Sequence, residues 1–434
     1  MASTFNERVV PAMGLRASRI EQGCVGARTV TSDPLDASSV LVLCREIYQI
    51  RRISVTKKKA SVVLDWSSSP DLGLNHALVV ASNPSRPSQR FLLASNAESV
   101  FAWPYTSTKH ALDPSAALPV VENINGATNG ATGRHTTRSL AYNAKTGDLY
   151  VQVGSFTNVD SDSKNARIKR FQIFDAAGLI DTTLDFVANG ELWADGLRNS
   201  VAQTFDERGQ LWESNNGPDD FPRQDLVTPH TNVHNDNPAE EINILDAPGK
   251  FYGYPFCVTA GNVSLSFATD PVRGSQWSSI LGGIDHIRDD AWCRNGANNQ
   301  PPVAHLPAHS APIAMTFLKK EDGCGKIKKV SFPCSWVGNL IITLHGSWDR
   351  TIPTGFSVVM IPFKNGFPVK SSMNQLNSLV TLLHARDLQT RCVGNLASSC
   401  FRPTGVTVVK SRGTLAFDSS KNLHSLFNRG TKGN

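Results

Sequence analysis

One stretch decides the fold: Gly196-Leu-Arg-Asn-Ser-Val-Ala-Gln-Thr-Phe-Asp-Glu-Arg-Gly-Gln-Leu-Trp-Glu-Ser-Asn-Asn-Gly-Pro-Asp-Asp220. The run from Val201 to Phe205 is strand-like, Glu207-Arg-Gly209 has the composition of a turn, and a second strand-like run begins at Gln210. This pattern predicts a two-stranded β-hairpin. A hairpin returns its far end to the side of its near end, so residues 196–199 are expected beside the Asn216-Gly-Pro corner.

Two kinds of ligand-binding group would meet at that point. Arg198, next to Asn199, offers a rigid fork of donors that suits carboxylates. The corner formed by Gly217 and Pro218 exposes carbonyl oxygens without a strand partner, and hard cations bind such oxygens. An anionic ligand bridged by a metal ion would satisfy both ends. A surface arginine beside an ordinary polar turn is the alternative, and these residues alone leave the two interpretations equally open.

One phrase recurs along the chain: a turn glycine, a polar residue, Leu, and then an alternating strand. It occurs as Gly147-Asp-Leu-Tyr-Val-Gln-Val153, Gly209-Gln-Leu-Trp-Glu213, Gly338-Asn-Leu-Ile-Ile-Thr343 and Gly413-Thr-Leu-Ala-Phe417. Long helical periodicity is missing. Recurring hairpins of this kind predict an all-β, six-bladed β-propeller, with a two-sheet sandwich as the alternative. We expect residues 1–40 to be an irregular segment, residues 41–425 to form one propeller domain, and residues 426–434 to be a tail.

Composition excludes several classes of protein. The net charge of +6 over 434 residues is small and not clustered, so nucleic acid is not an expected partner. The sequence lacks an apolar run of the roughly 20 residues that span a bilayer. It also lacks a Gly-x-Ser-x-Gly elbow, a phosphate loop and a dinucleotide fingerprint, which disfavours triad hydrolases and nicotinamide or flavin enzymes.

The cysteines indicate a secreted protein. There are eight, without zinc-site spacing. Cys324 with Cys334, and Cys392 with Cys400, are spaced to close short loops as disulfides, and Asn262 begins a glycosylation sequon. The first eight residues lack the pattern of an export signal. We therefore expect either that the signal lies outside this sequence or that the start is wrongly assigned.

His135 is a candidate general base. It precedes a predicted strand that is followed by Val153-Gly-Ser-Phe-Thr-Asn158, so His135 and Arg138 are expected near Ser155 and Asn158. A neutral histidine at a channel mouth suits proton abstraction near pH 7. The alternative is a histidine whose ring forms hydrogen bonds only with the backbone of its loop, which is the commoner case for a lone histidine.

Acidic residues and two further histidines have less specific interpretations. Glu240 and Glu241 suit either a metal site or a solvated strand edge, and the sequence does not separate the two. Carboxylates at 219, 220 and 225 are interpreted as loop charges. The histidines at 230 and 234 lie in a loop rich in Pro and Asn and are not expected to be ligands.

Polar phrases at further strand ends suggest a shared pocket. They are Pro307-Ala-His-Ser-Ala-Pro312, Leu344-His-Gly-Ser-Trp-Asp-Arg350 and Phe401-Arg-Pro-Thr-Gly-Val406. Converging on one mouth of a propeller, they would supply several arginines and histidines. Trp348 is placed either to stack on a flat ligand or to pack in the core.

Taken in order, these phrases resemble the glucose/sorbosone dehydrogenase family, soluble six-bladed propellers that use pyrroloquinoline quinone. The resemblance covers roughly residues 40–420 and favours the sorbosone-type branch, which includes fungal pyranose dehydrogenases. It is carried by His135-Thr-Thr-Arg-Ser-Leu140 with Leu149-Tyr-Val-Gln-Val-Gly-Ser155, Gly196-Leu-Arg-Asn199, Asn216-Gly-Pro218, Phe251-Tyr-Gly-Tyr-Pro255, Ala308-His-Ser-Ala-Pro312, His345-Gly-Ser-Trp-Asp-Arg350 and Arg402-Pro-Thr-Gly-Val406.

The resemblance implies a quinone- and Ca²⁺-dependent dehydrogenase that oxidises the hydroxyl of an aldose or related sugar and passes electrons to an external acceptor, a cytochrome or a quinone. It implies that His135 is the base, that Arg198 stabilises negative charge on the quinone, and that the Gly217 and Pro218 carbonyls hold calcium. The implied cofactor bed consists of Arg198, Asn199, Asn216, His345, Trp348, Arg350 and Arg402.

The chain departs from the family pattern at two places. Ser155 stands where the glucose-dehydrogenase branch has an acidic residue, and the last hairpin reads Asp418-Ser-Ser where relatives are more acidic. Two other classes stay open: a propeller without catalytic activity that binds sugars or proteins, and a calcium-dependent hydrolase of the lactonase type. The hydrolase would require several side-chain metal ligands in place of carbonyls and an arginine bed.

Overall fold

Six small antiparallel sheets form a ring in the computed structural model, so the chain is a six-bladed β-propeller, as predicted. The structure describes residues 9–161, 164–220, 222–223, 231–261, 273–279, 288–369, 379–392, 400–419 and 422–428. The sandwich alternative is wrong, because consecutive strands pair within a sheet and the chain then moves on to the next sheet.

Blades 1 to 3 follow the chain from the N-terminal side, each with four strands in sequence order. Blade 1 contains Ala27–Ser32, Ser39–Cys44, Gln49–Ser54 and Lys59–Asp65. Blade 2 contains Leu78–Asn83, Arg86–Ser95, Val100–Pro104 and Leu118–Glu122, with Leu184–Asp185 added in parallel. Blade 3 contains Leu140–Asn143, Asp148–Val153, Arg167–Gln172 and Glu191–Asp195, with Lys250–Phe251 added in parallel.

Blades 4 to 6 complete the ring, and the last two also take up strands from the N-terminal segment. Blade 4 contains Ala202–Phe205, Leu211–Asn215, Glu240–Leu245 and Ala304–Leu306. Blade 5 contains Pro312–Phe317, Leu340–Leu344, Ser357–Ile361 and Val380–Ala385, with Val9–Pro11 at its edge. Blade 6 contains Pro403–Val409, Thr414–Ser419, Asn422–Asn428 and, as its outer strand, Leu15–Gln22.

The expectation that residues 1–40 are irregular is wrong for the part that the structure describes. The expectation that a tail starts at residue 426 is also wrong, because the strand Asn422–Asn428 extends beyond it. Leu15–Gln22 pairs antiparallel with Asn422–Asn428 and closes the ring, while Ala27–Ser32 starts blade 1. The propeller therefore includes residues on both sides of the predicted limits of 41 and 425. The segment was misread because Leu15–Gln22 alternates weakly and carries several charges, as edge strands do.

Short elements decorate the ring. Two-stranded insertions pair Pro222–Arg223 with Thr231–Asn232, Cys257–Thr259 with Gln276–Ser278, and Phe363–Lys364 with Phe367–Pro368. Single helical turns occupy Phe186–Asn189, Asp290–Arg294 and Leu388–Arg391. Turns of 3₁₀ helix occupy Arg45–Ile47, Pro70–Leu72, Pro114–Ala116, Gly126–Thr128, Lys320–Asp322 and Cys334–Trp336.

The repeated phrase marks the turn between the first and second strands of blades 3 to 6. The four glycines that open it, Gly147, Gly209, Gly338 and Gly413, all have positive φ, from 59° to 88°. Residues with a Cβ rarely adopt this backbone conformation, so each glycine allows the chain to turn into the second strand. The Leu two residues later lies in that strand.

The hydrophobic core lies between adjacent blades as well as within them. Trp212 of blade 4 is fully buried, and its ring packs edge-on against Phe317 of blade 5 at 5.5 Å between centroids. The first strands line a central channel with a cavity of 360 Å³. Burying both faces of each sheet fixes the blades around this channel.

All eight cysteines form disulfides. Cys324–Cys334 and Cys392–Cys400 are bonded as predicted, and the remaining pairs are Cys24–Cys44 and Cys257–Cys293. Each bond joins residues 8 to 36 apart in sequence, so each one ties a local loop to its own region of the ring. The sequon at residues 262–264, Asp225 and His230 lie outside the described residues.

Candidate functional site

The candidate site lies at the end of the channel where the first strands of the blades begin, which we call the mouth. Hydrogen bonds join neighbouring blades around it: Ser95 Oγ donates to Arg138 O, Ser139 Oγ to Val201 O, Asn216 Nδ2 to Pro312 O and Thr404 Oγ1 to Ala27 O. The polar segments before each first strand are therefore brought close together although they are distant in sequence.

Arg198 lies beside the Gly-Pro corner, as the hairpin pattern predicted. Its side chain is buried, with the residue 4% exposed, and Nη1 donates to Gly217 O at 2.7 Å. Nη2 donates to Asn158 Oδ1 at 2.8 Å and pairs with Asp219 Oδ2 at 3.0 Å. The surface-arginine alternative is therefore wrong. The guanidinium of Arg198 therefore holds the Gly-Pro corner in place by donating to acceptors of the protein itself.

Asn199 and Asn216 lie on either side of the same hairpin. Asn216 Nδ2 donates to Asn199 O at 3.0 Å, while Asn199 Oδ1 is buried and accepts no hydrogen bond. A Cβ on Gly154 would lie 2.6 Å from Cβ of His135 and 3.1 Å from Asn199 Oδ1. The absence of a side chain at position 154 therefore allows the histidine and the asparagine to approach each other.

His135 is held in one tautomer by backbone. Its Nδ1 lies 2.8 Å from Ser155 O, which accepts only, and 3.1 Å from Ser155 Oγ, which already donates to Thr157 O. Nδ1 must therefore carry the proton, and Nε2 is left as the acceptor. Burial, with the nearby Arg198 charge, lowers the pKa of His135 to about 3, so the ring is neutral at pH 7.

Arg138 turns away from the position expected for it. It is fully buried, with Nε donating to Ala97 O at 2.8 Å and Nη2 to Asn125 Oδ1 at 2.6 Å in blade 2. Of the predicted neighbours of His135, Ser155 makes contact with the ring and Asn158 binds Arg198. Arg138 supports the His135 backbone instead, because Nη1 donates to His135 O at 2.7 Å.

Three ligand-type side chains that the sequence did not bring together form a cluster beside Arg198. His309 Nδ1 lies 3.3 Å from Asp349 Oδ2 and 3.8 Å from Asp219 Oδ1. The three ligand atoms lie within 4.8 Å of one another. The interpretation of Asp219 as a loop charge is wrong, because it pairs with Arg198. His234 lies beside the cluster: its Nε2 donates to Asp349 O at 2.8 Å, and its ring is edge-on to that of His309 at 6.2 Å between centroids.

Glu240 ties the Gly-Pro corner to the segment that carries His309. The residue is buried, and its carboxylate accepts from Gly217 N at 2.8 Å and from Ala311 N at 3.4 Å. Burial raises the pKa of Glu240 to about 8. Glu241 is also buried and accepts from Thr259 Oγ1 at 2.7 Å. The solvated-edge interpretation of this pair is therefore wrong.

A second group of charges lies on the other side of the mouth. Arg402 Nη2 donates to Gly346 O at 2.9 Å, while its Nε is buried and has no hydrogen-bond partner. His345 Nδ1 donates to Pro403 O at 3.1 Å. Burial, together with the charges of Arg402 and Arg28, lowers the pKa of His345 to about 3. Arg28 lies in the segment expected to be irregular, so sequence reasoning missed it.

Trp348 and Arg350 lie at the rim. Trp348 is 65% exposed, so the core-packing interpretation of this ring is wrong. Arg350 donates to Ala308 O at 3.1 Å and pairs with Asp236 Oδ1 at 3.3 Å, and it lines a separate 120 Å³ cavity. Its guanidinium is thus paired within the protein, whereas the resemblance implies that it belongs to the cofactor bed.

The donor set fits an anionic, polar ligand with a cation. Arg402 Nε and Asn199 Oδ1 are buried polar atoms without partners, and buried polar groups are costly unless a ligand or water completes them. The arginines suit carboxylates, whereas the Gly217 carbonyl and the carboxylates nearby suit a metal ion. Within the described residues, no helix is long and apolar enough to span a membrane.

Fold and site together define a six-bladed propeller with charged side chains around one mouth of its channel. The chain belongs to the TrAA12-like family, whose model matches residues 9–427. It is 29% identical over 352 residues to a pyrroloquinoline quinone-dependent pyranose dehydrogenase of Coprinopsis cinerea, covering 77% of this chain and 43% of that protein. The chain thus spans less than half the length of that relative.

Two further comparisons cover nearly the whole chain. A pyrroloquinoline quinone-dependent sugar dehydrogenase of Hypocrea jecorina is 28% identical over 420 residues, covering 92% of this chain and 84% of that protein. The holo form of the pyranose dehydrogenase PQQ domain from Coprinopsis cinerea superposes with a TM-score of 0.79 at 25% identity, covering 98% of each chain. The family resemblance noted in the sequence is therefore confirmed.

Proposed function

We propose that the chain is a pyrroloquinoline quinone- and Ca²⁺-dependent dehydrogenase that oxidises the hydroxyl of an aldose or related sugar of the sorbosone or pyranose type. The observation that carries this proposal is the fixed tautomer of His135, whose Nε2 is left as an acceptor. The unpartnered Oδ1 of Asn199 and the Cβ of His135 both lie beside Gly154. The similarity to quinone-dependent pyranose and sugar dehydrogenases supports the cofactor and the class of substrate.

His135 removes the proton of the sugar hydroxyl through Nε2, while Nδ1 stays bound to Ser155 O. Quinone, when bound, supplies the acceptor for the hydride that leaves the same carbon. Since the low pKa of His135 keeps it neutral at pH 7, the base is present in its active form. Ser155 orients the ring through its carbonyl, which explains how the site functions without the acidic residue of the glucose-dehydrogenase branch.

Arginine side chains supply the electrostatic part of the site. Arg198 stabilises negative charge at the quinone oxygens, as preorganised cations do in many active sites. Arg402 pairs with a cofactor carboxylate through its free Nε. Asn199, Asn216 and His345 complete the polar bed, and the exposed Trp348 ring stacks on the flat ligand. Arg350, paired with Asp236, adds charge at the rim.

The carbonyls of Gly217 and Pro218 would hold the calcium ion. Gly217 O already accepts from Arg198, but a carbonyl oxygen has a second lone pair for a cation. Glu240 holds the Gly217 backbone in the orientation that presents this oxygen. When bound, the ion supplies positive charge beside the quinone oxygens.

Electrons leave for an external acceptor, a cytochrome or a quinone. The protein acts outside the cell, and the four disulfides support this location because such bonds persist in oxidising compartments.

A lactonase-type hydrolase is the second candidate, and one observation favours it. The cluster of Asp219, His309 and Asp349 provides the side-chain metal ligands that such an enzyme requires. The family and the arginines of the mouth favour the dehydrogenase. Lactone hydrolysis that requires a metal but not quinone would reverse this ranking.

Calorimetric titration of metal-stripped protein with pyrroloquinoline quinone, with and without Ca²⁺, tests the proposal. We expect calcium-dependent binding that EDTA abolishes and that Arg402→Ala weakens at least about tenfold, the value of one or two charge-assisted hydrogen bonds. The exposed Arg19→Ala is the matched control. Reduction of a redox dye in the presence of a panel of sugars then identifies the substrate class. Folded protein that binds no quinone under either condition contradicts the proposal.

A further inference from the structure

The cluster of Asp219, His309 and Asp349, which we call the carboxylate–histidine cluster, has a donor arrangement that the proposed dehydrogenase does not require. Its atoms come from three segments: the Gly-Pro turn of blade 4, the loop before blade 5, and the loop after the second strand of blade 5. Glu240 and Arg198 tether the turn, so the cluster is held on rigid supports.

Asp349 carries the strongest sign of a missing ligand. Its side chain is only 5% exposed, yet neither carboxylate oxygen accepts a hydrogen bond. A buried carboxylate is normally paired or bound to a metal, because an isolated buried charge is strongly unfavourable. The neighbouring ionisable atom is His309 Nδ1, at 3.3 Å.

His309 presents a lone pair toward that carboxylate when it is neutral. Its Nε2 lies 3.2 Å from Asn237 O, a carbonyl that can only accept, so Nε2 carries a proton. Nδ1 then faces Asp349 Oδ2 and Asp219 Oδ1 as a third acceptor. Three facing acceptors repel one another unless a positive charge lies between them.

Spacing and geometry suit a metal ion. Ligands bound tetrahedrally at about 2.1 Å lie about 3.4 Å apart, close to the observed 3.3 and 3.8 Å. Asp219 is able to contribute Oδ1, because its pairing with Arg198 uses Oδ2. The metal and the arginine thus take different oxygens of one carboxylate.

The chemistry of the donors selects the kind of metal. Calcium is a hard ion that takes oxygen ligands, whereas an imidazole nitrogen with two carboxylates suits Zn²⁺ and other first-row divalent ions. We propose that Asp219, His309 and Asp349 form a binding site for a divalent transition-series metal such as Zn²⁺, separate from the carbonyl calcium site and able to bind metal without quinone.

This site stands independently of the proposed reaction. Asp219 binds Arg198, so metal in the cluster would help to hold the arginine that the proposed cofactor site uses. The statement about Arg198 rests on the proposed function, whereas metal binding itself does not.

The test titrates EDTA-treated, dialysed full-length protein with ZnCl₂ and separately with CaCl₂, in the absence of quinone. We expect a single Zn²⁺ ion to bind, with calcium at least about tenfold weaker. Asp349→Asn should weaken zinc binding at least about tenfold, by comparison with the losses seen for residues that only support ligands. Asp220→Asn removes the same charge from an exposed neighbour and is the matched control.

Thermal unfolding provides a second readout. Zinc should raise the midpoint of the wild type and of Asp220→Asn, but not that of Asp349→Asn. Asp219→Asn serves the same purpose if the Asp349 variant fails to fold. Zinc binding that is unchanged in both variants, tighter binding of calcium than zinc, or no binding by folded protein would each overturn the proposal. Because quinone titration is a separate experiment, failure of either proposal leaves the other standing.

Discussion

Three histidine rings at the mouth are each oriented by a backbone carbonyl: His135 by Ser155, His309 by Asn237 and His345 by Pro403. A carbonyl accepts at every pH, so the tautomer of each ring does not depend on the protonation of another side chain. This could not be read from the sequence, because carbonyls are present at every position. The sequence did indicate that His135 and Arg198 matter, since each lies at the start of a recognisable hairpin.

The pH dependence of catalysis should reflect the low pKa of His135. A base with a folded pKa of about 3 is already deprotonated throughout the range from pH 5 to 7. We therefore expect kcat/KM to stay level over this range, where a base with the ordinary value of about 6.5 would lose activity.

The variant His135→Asn should lower kcat at least about 100-fold, the usual contribution of a general base, while quinone binding by calorimetry stays unchanged. Arg134→Ala, at the exposed neighbouring position, controls for general effects on the loop. A fall in wild-type kcat/KM centred near pH 6.5 would argue against His135 as the base.

We propose that Glu240 positions the proposed calcium site, because it accepts from the backbone of Gly217 and of Ala311. Glu240→Ala leaves the Gly217 N–H without its acceptor and frees the turn. We expect calcium-dependent quinone binding to weaken by about 10- to 100-fold. Glu240→Gln should lose less, since an amide oxygen still accepts.

Glu213→Gln is the matched control for that series. Glu213 is another buried glutamate of blade 4, but it binds Ser200 and Asn243 away from the Gly-Pro corner. Equal losses in Glu240→Ala and Glu213→Gln would point to general damage of the blade and contradict the positioning role.

At the scale of elements, the β-hairpins could be predicted from the sequence, but the strand pairing that closes the ring could not. The turn glycines of blades 3 to 6 act within a few residues, so a local pattern reveals them. Leu15–Gln22 owes its structure to Asn422–Asn428, about four hundred residues away, and local propensity carries no record of that partner. The carboxylate–histidine cluster was missed for the same reason, since its three members come from three separate segments.

The closing strand should contribute measurably to stability. Ile20 is 6% exposed and packs in a cluster with residues of blades 1 and 6, including Val42, Val409 and Leu423. Ile20→Ala should lower the free energy of unfolding by about 2–4 kcal/mol through lost burial and the cavity left behind.

Arg19→Ala, at the exposed adjacent position, should change the free energy of unfolding by less than about 0.5 kcal/mol. Chemical denaturation measures both variants. A loss of similar size at the two positions would mean that the strand is not docked as described.

For the whole molecule, buried histidines and buried carboxyl groups determine how the free energy of unfolding depends on pH. His76, His135 and His345 have pKa values lowered to about 3 by burial, and His305 to about 4. The unfolded chain binds their protons near pH 6.5, so these groups make stability fall as the pH falls below that value.

Glu213 and Glu240 are two of the buried carboxyl groups that act in the opposite sense. Burial raises the pKa values of Glu213 and Glu240 to about 8, whereas the unfolded chain releases those protons near pH 4.5. Their contribution is full below pH 4.5 and is lost as the pH rises toward 8. Thermal unfolding across pH 4 to 9 should therefore show a maximum near pH 6, with a decline on both sides.

The alkaline decline should be smaller in Glu213→Gln, because one of the two groups no longer ionises. An unchanged alkaline slope in this variant would show that burial does not hold the Glu213 proton in place. Measurements without added metal keep metal binding at the mouth from contributing to the slope.

Closure of the ring by Leu15–Gln22 against Asn422–Asn428 also fixes the order of events during synthesis. The first of these strands leaves the ribosome about four hundred residues before its partner. The early strand must wait, with an unpaired edge, until almost every other blade has emerged. Arg402 precedes the last three strands of blade 6, so the mouth is also among the last parts to be completed. A chain truncated before residue 422 should therefore contain five complete blades, an open sixth, and no competence to retain cofactor.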